Sequence, residues 1–255
     1  MKIHHLRNAT MIIEAGNQFI LVDPMIGPKA TLPTFTFFRF KAKRNPIAPF
    51  PDNAALLLEK VTHCIITHRH PDHLDAAGIK FLRKHNIPIS CSHKDAPILK
   101  KKGLNITQSL HYWERTDFLG GKIEGIPAKH GYGFIAKPMG NVMGFYIQLP
   151  DQPSIYLSSD TVYTKQVHKV LTEYQPKISV VAGGSAQLDI FQPLLMTMDD
   201  ILKFIQNAPD KVIVNHLEAV NHCPTTRTEL RSLLDEKQFI HKVSIPEDGA
   251  SIVFQ

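Results

Sequence analysis

Short apolar runs, many rich in β-branched residues, punctuate the chain and set its expected elements. Residues 2–7, 10–14 and 18–22 read as strands, with Gly16-Asn17 as the turn between MIIEA and FILV. A short helix over 53–60 leads to a buried strand carrying Val61, Cys64, Ile65 and Ile66. The chain then alternates: a helix over 74–85 with Lys84 and His85 near its C-terminal end, a strand over 87–91, and a helix over 94–102 stopped by Gly103. Strands follow at 106–110, 117–119 and 122–128, then a hairpin of 142–149 with 154–158 around Pro150-Asp151-Gln152-Pro153. Alternation resumes with a helix over 163–174, a strand over 178–182 and a helix over 197–207, capped by Thr197 with Asp199-Asp200 in its first turn. A strand at 211–216, a helix at 226–236 and a closing strand at 250–254 complete the pattern. It predicts an α/β (α+β) chain in which helices cover β-rich halves.

One stretch breaks this rhythm. Residues 27–52 are dense in proline, phenylalanine and basic side chains, and the prolines exclude a long regular element. A loop of this length in a compact domain suits a lid or a partner surface. Phe35, Phe37, Phe38, Phe40 and Phe50 are placed to cover a pocket or a dimer interface, and Arg39, Lys41, Lys43 and Arg44 to meet an anionic group; a loop simply packed down by its aromatics is the plainer alternative.

Composition narrows the class. The 255 residues are 43% hydrophobic, enough for a sizeable core in one domain spanning 1–255, with 27–52 as a lid-like insertion. No apolar run reaches the length of a membrane span, so no membrane partner is expected. The N-terminal MKIHHLRNATMIIEAG has no leader-like apolar region. Three scattered cysteines imply no disulfide framework, which together suggests a cytoplasmic protein. The net charge of +6 admits an anionic partner. Without a basic arm or an added nucleic-acid domain, nucleic acid is the less favoured partner.

The chemistry concentrates in Thr67-His68-Arg69-His70-Pro71-Asp72-His73, directly after the buried strand. In extended chain, His68 and His70 point the same way, while Pro71 turns the chain so that Asp72 and His73 leave from the next turn. Two pairs of nitrogen or carboxylate ligands at one strand end suggest two adjacent metals. The plainer reading makes Asp72 an N-cap with Asp75 as a capping-box partner. Later strands end in the same manner: His130 enters a loop with Gly131 and Gly133, Asp160 lies in Ser158-Ser159-Asp160-Thr161, and His216 closes Lys211–His216. Asp160 has an alternative as the cap of helix 163–174. Asp23, ending Val22-Asp23-Pro24, suits either support of the site or a strand-end cap, and Glu218 and His222 lie close to His216 in sequence.

The HxHxDH stretch resembles the signature of the metallo-β-lactamase-fold hydrolases, and the later His, Asp and His match that family in order. The resemblance covers essentially the whole chain and implies a four-layer αββα sandwich. It also implies that His68, His70 and His130 hold one divalent metal, that Asp72, His73 and His216 hold a second, and that Asp160 bridges them. The imidazole and carboxylate donors suit Zn2+ best, with Mn2+ or Fe2+ as alternatives. A hydroxide held between two such ions would attack a carbonyl or phosphoryl centre, and Asp72 would help move a proton. Oxygen-reducing members usually carry a Glu at the place of His70, which favours hydrolysis here. The opening HLRNATMIIEAGNQFILVDPM resembles the branch containing the ascorbate-6-phosphate lactonase. A small, anionic lactone, ester or phosphodiester substrate is therefore expected. An RNA- or DNA-processing phosphodiesterase and a non-catalytic metal-binding module are the alternatives, and homo-oligomerisation is left open.

Overall fold

A computed structural model describes residues 1–254. Among these residues the strands assemble into two seven-stranded sheets. The first contains β1 (Lys2–Arg7), β2 (Thr10–Ala15), β3 (Gln18–Val22), β4 (His63–Ile66), β5 (Ile89–Ser92) and β6 (Ile106–Leu110). The second contains β7 (Arg115–Phe118), β8 (Gly121–Pro127), β9 (Met143–Gln148), β10 (Ile155–Leu157), β11 (Ile178–Ala182), β12 (Lys211–Asn215) and β13 (Val243–Ser244). The last strand, β14 (Ser251–Val253), returns to pair antiparallel with β1. Each sheet begins as an antiparallel meander and ends in parallel strands: β3 to β6 in the first, β10 to β13 in the second.

Parallel neighbours need crossovers, and helices supply them. They are α1 (Ala54–Leu58), α2 (Ala76–Lys84) and α3 (Ala96–Lys101) on the first sheet, and α4 (Lys165–Lys169), α5 (Met198–Asn207) and α6 (Arg227–Glu236) on the second. Period-2 alternation sorts each strand between two cores. Ile65 of β4, Met143, Phe145 and Ile147 of β9, and Ile213 of β12 fill the space between the sheets. Cys64 and Ile66 of β4 face the outer core under α2 and α3, while Val212 and Val214 of β12 face that under α5 and α6. The result is the four-layer αββα sandwich.

Helix starts follow side-chain caps. Thr197 accepts from the Asp200 amide, and Thr226 forms a capping box with Glu229. The cap of α2 is Asp75, whose Oδ1 accepts from the Gly78 amide while Oδ2 accepts from Gly27 N, at 2.7 Å each. The capping reading of Asp72 therefore falls away, and its carboxylate is free for other work. Gly78 is required by packing, because a Cβ there would lie 2.0 Å from the Pro24 carbonyl oxygen. The helix expected over 163–174 starts later, at the Thr164 cap, and widens into a π turn over Val170–Tyr174. That also releases Asp160 from a capping role. The two-residue β13 was not anticipated.

Candidate metal centre

In α/β sheets, ligand sites form beyond the C-terminal ends of parallel strands. Here Asp23 follows β3, His68 follows β4, Asp160 follows β10 and His216 follows β12, and all four meet where the two sheets converge. Backbone hydrogen bonds staple the halves together at this point. Met143 N donates to Thr67 O at 3.1 Å, and His216 N donates to Asn8 O at 2.9 Å. The Asn8 side chain donates in turn to the Asp72 carbonyl at 2.9 Å. Ser159 and His216 hold φ near +60° and +59°, in the left-handed region that non-glycine residues rarely occupy. The site is thus built on strained backbone fixed from both sheets.

The structure brings the seven expected residues together. Ligand atoms of His68, His70 and His130 lie within 4.8 Å of one another, as do those of Asp72, His73, Asp160 and His216. His68 and His70 both lie past the end of β4, before the turn that opens at Pro71, with ring centroids 4.6 Å apart. Asp160 Oδ2 sits among the imidazoles, 3.2 Å from His73 Nε2 and 3.6 Å from both His130 Nε2 and His216 Nε2.

The outer nitrogens are held and the inner ones are left bare. Asp23 Oδ2 accepts from His73 Nδ1 at 2.8 Å and from Thr67 Oγ1 at 2.6 Å. Because Thr67 spends its proton on Asp23, its oxygen accepts from His68 Nδ1 at 2.9 Å. His130 Nδ1 donates to the Leu194 carbonyl at 3.0 Å. Each of these bonds places a proton on Nδ1, so that on the neutral ring the lone pair of Nε2 turns inward. His68 Nε2 and Asp160 Oδ1 are buried with no hydrogen-bond partner, and His73 Nε2 faces His216 Nε2 at 3.1 Å. Nitrogens packed this closely on one another and on a buried carboxylate need positive charge among them, a proton or a metal ion. The donor set fits divalent metal.

The electrostatics agree. Burial alone would raise Asp160, but His73 and His216 hold its carboxyl well below the usual range. Burial likewise opposes ionisation of Asp72, yet the His216 hydrogen bond and the charge of His73 keep it low. Burial lowers His73, but Asp160 and then Asp23 outweigh it and raise the ring to about 10. A field that holds a proton on that ring also holds a cation. Burial, with His73 and His70 beside it, pushes His68 well down, so it presents a neutral imidazole.

Sequence reading left Asp23 between two roles; it anchors Thr67 and His73. Asn8, Thr67 and the Leu194 carbonyl went unnoticed, because a main-chain acceptor or a lone Asn carries no sequence mark. Glu218 turns away to pair with Arg227 at the start of α6. His222 instead is buried beside the site, pushed down to about 4 by burial, with Nδ1 unpaired and Phe35 edge-on to its ring. With His70, Asp72 and His130 it lines a cavity of about 340 Å3, at the small end of the range for ligand pockets, about 300–1,000 Å3. The remaining wall is mostly apolar, from Phe35, Met139, Leu188 and Leu194, and no Lys or Arg lines it. Arg39 and Arg44 spend their guanidinium groups on the carbonyls of Leu188 and Ala30, at 2.8 Å each.

Asp23→Asn tests the orienting network. The amide nitrogen would face either the Thr67 backbone N–H or the His73 N–H with the Thr67 hydroxyl, so at least one of these hydrogen bonds is lost or reversed. Metal affinity is expected to fall about 10- to 100-fold with the fold retained, read by chelator competition. Unchanged affinity would mean that Asp23 does not orient His73 and His68.

Comparison with known proteins places the chain. The family model described as "Beta-lactamase superfamily domain" matches residues 18–216. The chain is 33% identical to UPF0173 protein YddR of Bacillus subtilis over the full length of both. It is 27% identical to a UPF0173 metal-dependent hydrolase of Alkaliphilus metalliredigens, over 74% of this chain and 76% of the other. The crystal structure of a possible metal-dependent hydrolase from Veillonella parvula superposes with a TM-score of 0.92 at 28% identity, covering 100% of this chain and 99% of that one. That of an isothiocyanate hydrolase from Delia radicum gut bacteria superposes at 0.90 with 30% identity and the same coverage. Among the described residues no helix is long and apolar enough to cross a membrane. With its αββα sandwich and its His/Asp cluster at the junction of the sheets, the chain belongs to the beta-lactamase superfamily, among the metal-dependent hydrolases of the metallo-β-lactamase fold.

Proposed function

We propose that the chain, acting as one domain over residues 1–255, is a dinuclear metal-dependent hydrolase of small, uncharged carbon electrophiles. Isothiocyanates are the first candidates, and lactones or esters the second. The observation that carries this reading is the small cavity beside the His/Asp cluster, mostly apolar and free of Lys and Arg. It favours an uncharged substrate over the anionic one that the basic loop suggested. A solved structure 30% identical to this chain is named an isothiocyanate hydrolase, which adds support.

In this reading His68, His70 and His130 hold one divalent ion, and Asp72, His73 and His216 hold the other. Asp160 serves both. The imidazole and carboxylate donors suit zinc first, with manganese or iron as alternatives. Such ions, when bound, lower the pKa of water from about 15.7 to about 7 and polarise the electrophile. The chain's own groups do the rest. Phe35, Met139, Leu188 and Leu194 bind the apolar substituent and exclude bulk water. His222, neutral at physiological pH, contributes its ring to the cavity wall. Asp72 both lines the cavity and faces His216, with Oδ2 3.4 Å from Nε2, which suits it to pass a proton. For an isothiocyanate, the water oxygen bonds to the central carbon, both water protons end on nitrogen and the C–N bond breaks, giving an amine and carbonyl sulfide.

The test is turnover by the metal-loaded protein of an alkyl isothiocyanate, a lactone and bis-p-nitrophenyl phosphate. Hydrolysis of either of the first two, with the phosphodiester far slower, is expected. Turnover of the phosphodiester alone would overturn the proposal, and a steep salt dependence of nucleic-acid binding would then favour a nucleic-acid substrate. Full metal occupancy with no turnover of any substrate in a broad panel would leave a binding module.

A further inference from the structure

Large apolar side chains gather in the open beside the cavity mouth. Phe38 is 91% exposed, Phe134 99% and Ile190 84%, while Phe37 and Phe191 are each more than half exposed. They come from three segments, but hydrogen bonds tie these into one surface. The Asp189 carboxylate accepts from the Thr36 hydroxyl and from the amides of Phe37, Phe38 and Arg39, which ties the segment carrying Ile190 to the Phe37-Phe38 turn. Tyr132 N donates to Pro193 O at 3.1 Å, and a Cβ on Gly133 would lie 2.2 Å from Gln192 Oε1. Phe134 and Phe191 are the chain neighbours of this packed pair, so the two segments that carry them adjoin. The same segment leads into the metal centre, because the Leu194 carbonyl holds His130.

A surface of this kind on a lone chain is costly. Monomers rarely expose contiguous apolar patches beyond a few hundred Å2. At about 150–250 Å2 per large side chain, these five expose on the order of 700 Å2. A stable interface buries about 800 Å2 per partner. The Asp189 carboxylate is spent on the turn amides and the guanidinium groups of Arg39 and Arg44 on backbone carbonyls, while Lys41, Lys43 and Lys137 stand exposed nearby. A patch approaching the area that each partner of a stable dimer buries suits a copy of itself.

We infer that two copies of this chain associate through this patch in a two-fold dimer, each presenting Phe37, Phe38, Phe134, Ile190 and Phe191 to its partner. A two-fold interface needs only one self-complementary patch. The arrangement brings each cavity mouth to the edge of the interface.

Sedimentation equilibrium of the full, metal-loaded chain tests this. The expected mass is twice the chain mass of 28.7 kDa at moderate salt, where the exposed lysines beside the patch are screened. The double variant Phe38→Ser/Phe134→Ser removes two exposed rings that touch no metal ligand. It is expected to raise the dimer Kd roughly a hundredfold or more, as loss of central aromatic anchors does. Metal content equal to wild type shows that the variant is folded. A monomeric wild type would overturn the inference, as would a dimer that the double variant leaves intact. A monomer that co-sediments with phosphatidylserine vesicles through these rings would also overturn it, giving the patch to lipid.

Discussion

Asp160→Asn is expected to weaken metal binding on the order of a thousandfold and to abolish turnover, although the substitution barely changes shape. The carboxylate lies 3.2–3.6 Å from the inner nitrogens of His73, His130 and His216, and its Oδ1 has no protein partner. It therefore reaches the inner nitrogens of both ligand groups. Removing one negative charge about 4 Å from a cation costs roughly 4 kcal/mol at an effective dielectric of about 20, equivalent to about a thousandfold in affinity. His216→Ala makes a contrast. That ring belongs to one group only, and elemental analysis is expected to show metal falling from two equivalents towards one. Chelator competition on the Asp160 variant, with elemental analysis of both, separates the cases. An Asp160→Asn protein that binds metal like wild type would remove Asp160 from the ligand set. One equivalent in wild type, unchanged by His216→Ala, would mean a single-metal site.

Much of this centre was legible because its residues end strands. A buried β-branched run followed by His or Asp marks a position where the chain leaves the sheet, and β4, β10 and β12 each do so. Alternation in β4, β9 and β12 was legible for the same reason, since each strand faces a different core on each side. What stayed hidden depends on partners distant in sequence. Arg39 read as a group for an anionic ligand, yet it meets Leu188 O across 149 residues of chain. Phe35 and Phe38 looked alike, but one lines the cavity and the other faces outward, because Asp189 and Asn221 set the loop's path. Asn221 also donates to Thr34 Oγ1 and to the carbonyl of Thr36, and Asn45 donates to it. No local pattern announces such a clamp. The strand β13 is two residues long, too short for any periodicity.

Arg7→Met is expected to be the most damaging change away from the metal ligands, lowering stability by about 3–5 kcal/mol. Arg7 is wholly buried at the end of β1. Its guanidinium donates to Met25 O at 2.8 Å, Gly27 O at 2.9 Å and Ala48 O at 3.2 Å, and its Cζ lies 5.1 Å from the centroid of the Phe50 ring. These partners stand where the 27–52 loop leaves the body and where it returns, so one side chain ties both ends of the neck. Burial pulls Arg7 down to about 10 against the charges of Asp75 and Asp248, so it stays protonated at neutral pH. Methionine fills a similar volume but strands three carbonyls, at about 1–3 kcal/mol for each one left without a partner. Lysine keeps the charge yet lacks the planar fork that reaches separate carbonyls, so Arg7→Lys is expected to recover little. For a chain of this size, roughly 2–4 °C is lost per kcal/mol, so the midpoint should fall by about 10 °C. Thermal unfolding followed by circular dichroism reads this directly. Metal content should hold at low temperature, because no ligand sits on the loop. A midpoint within about 2 °C of wild type would mean that the loop's neck is held by its prolines and aromatics without the buried cation.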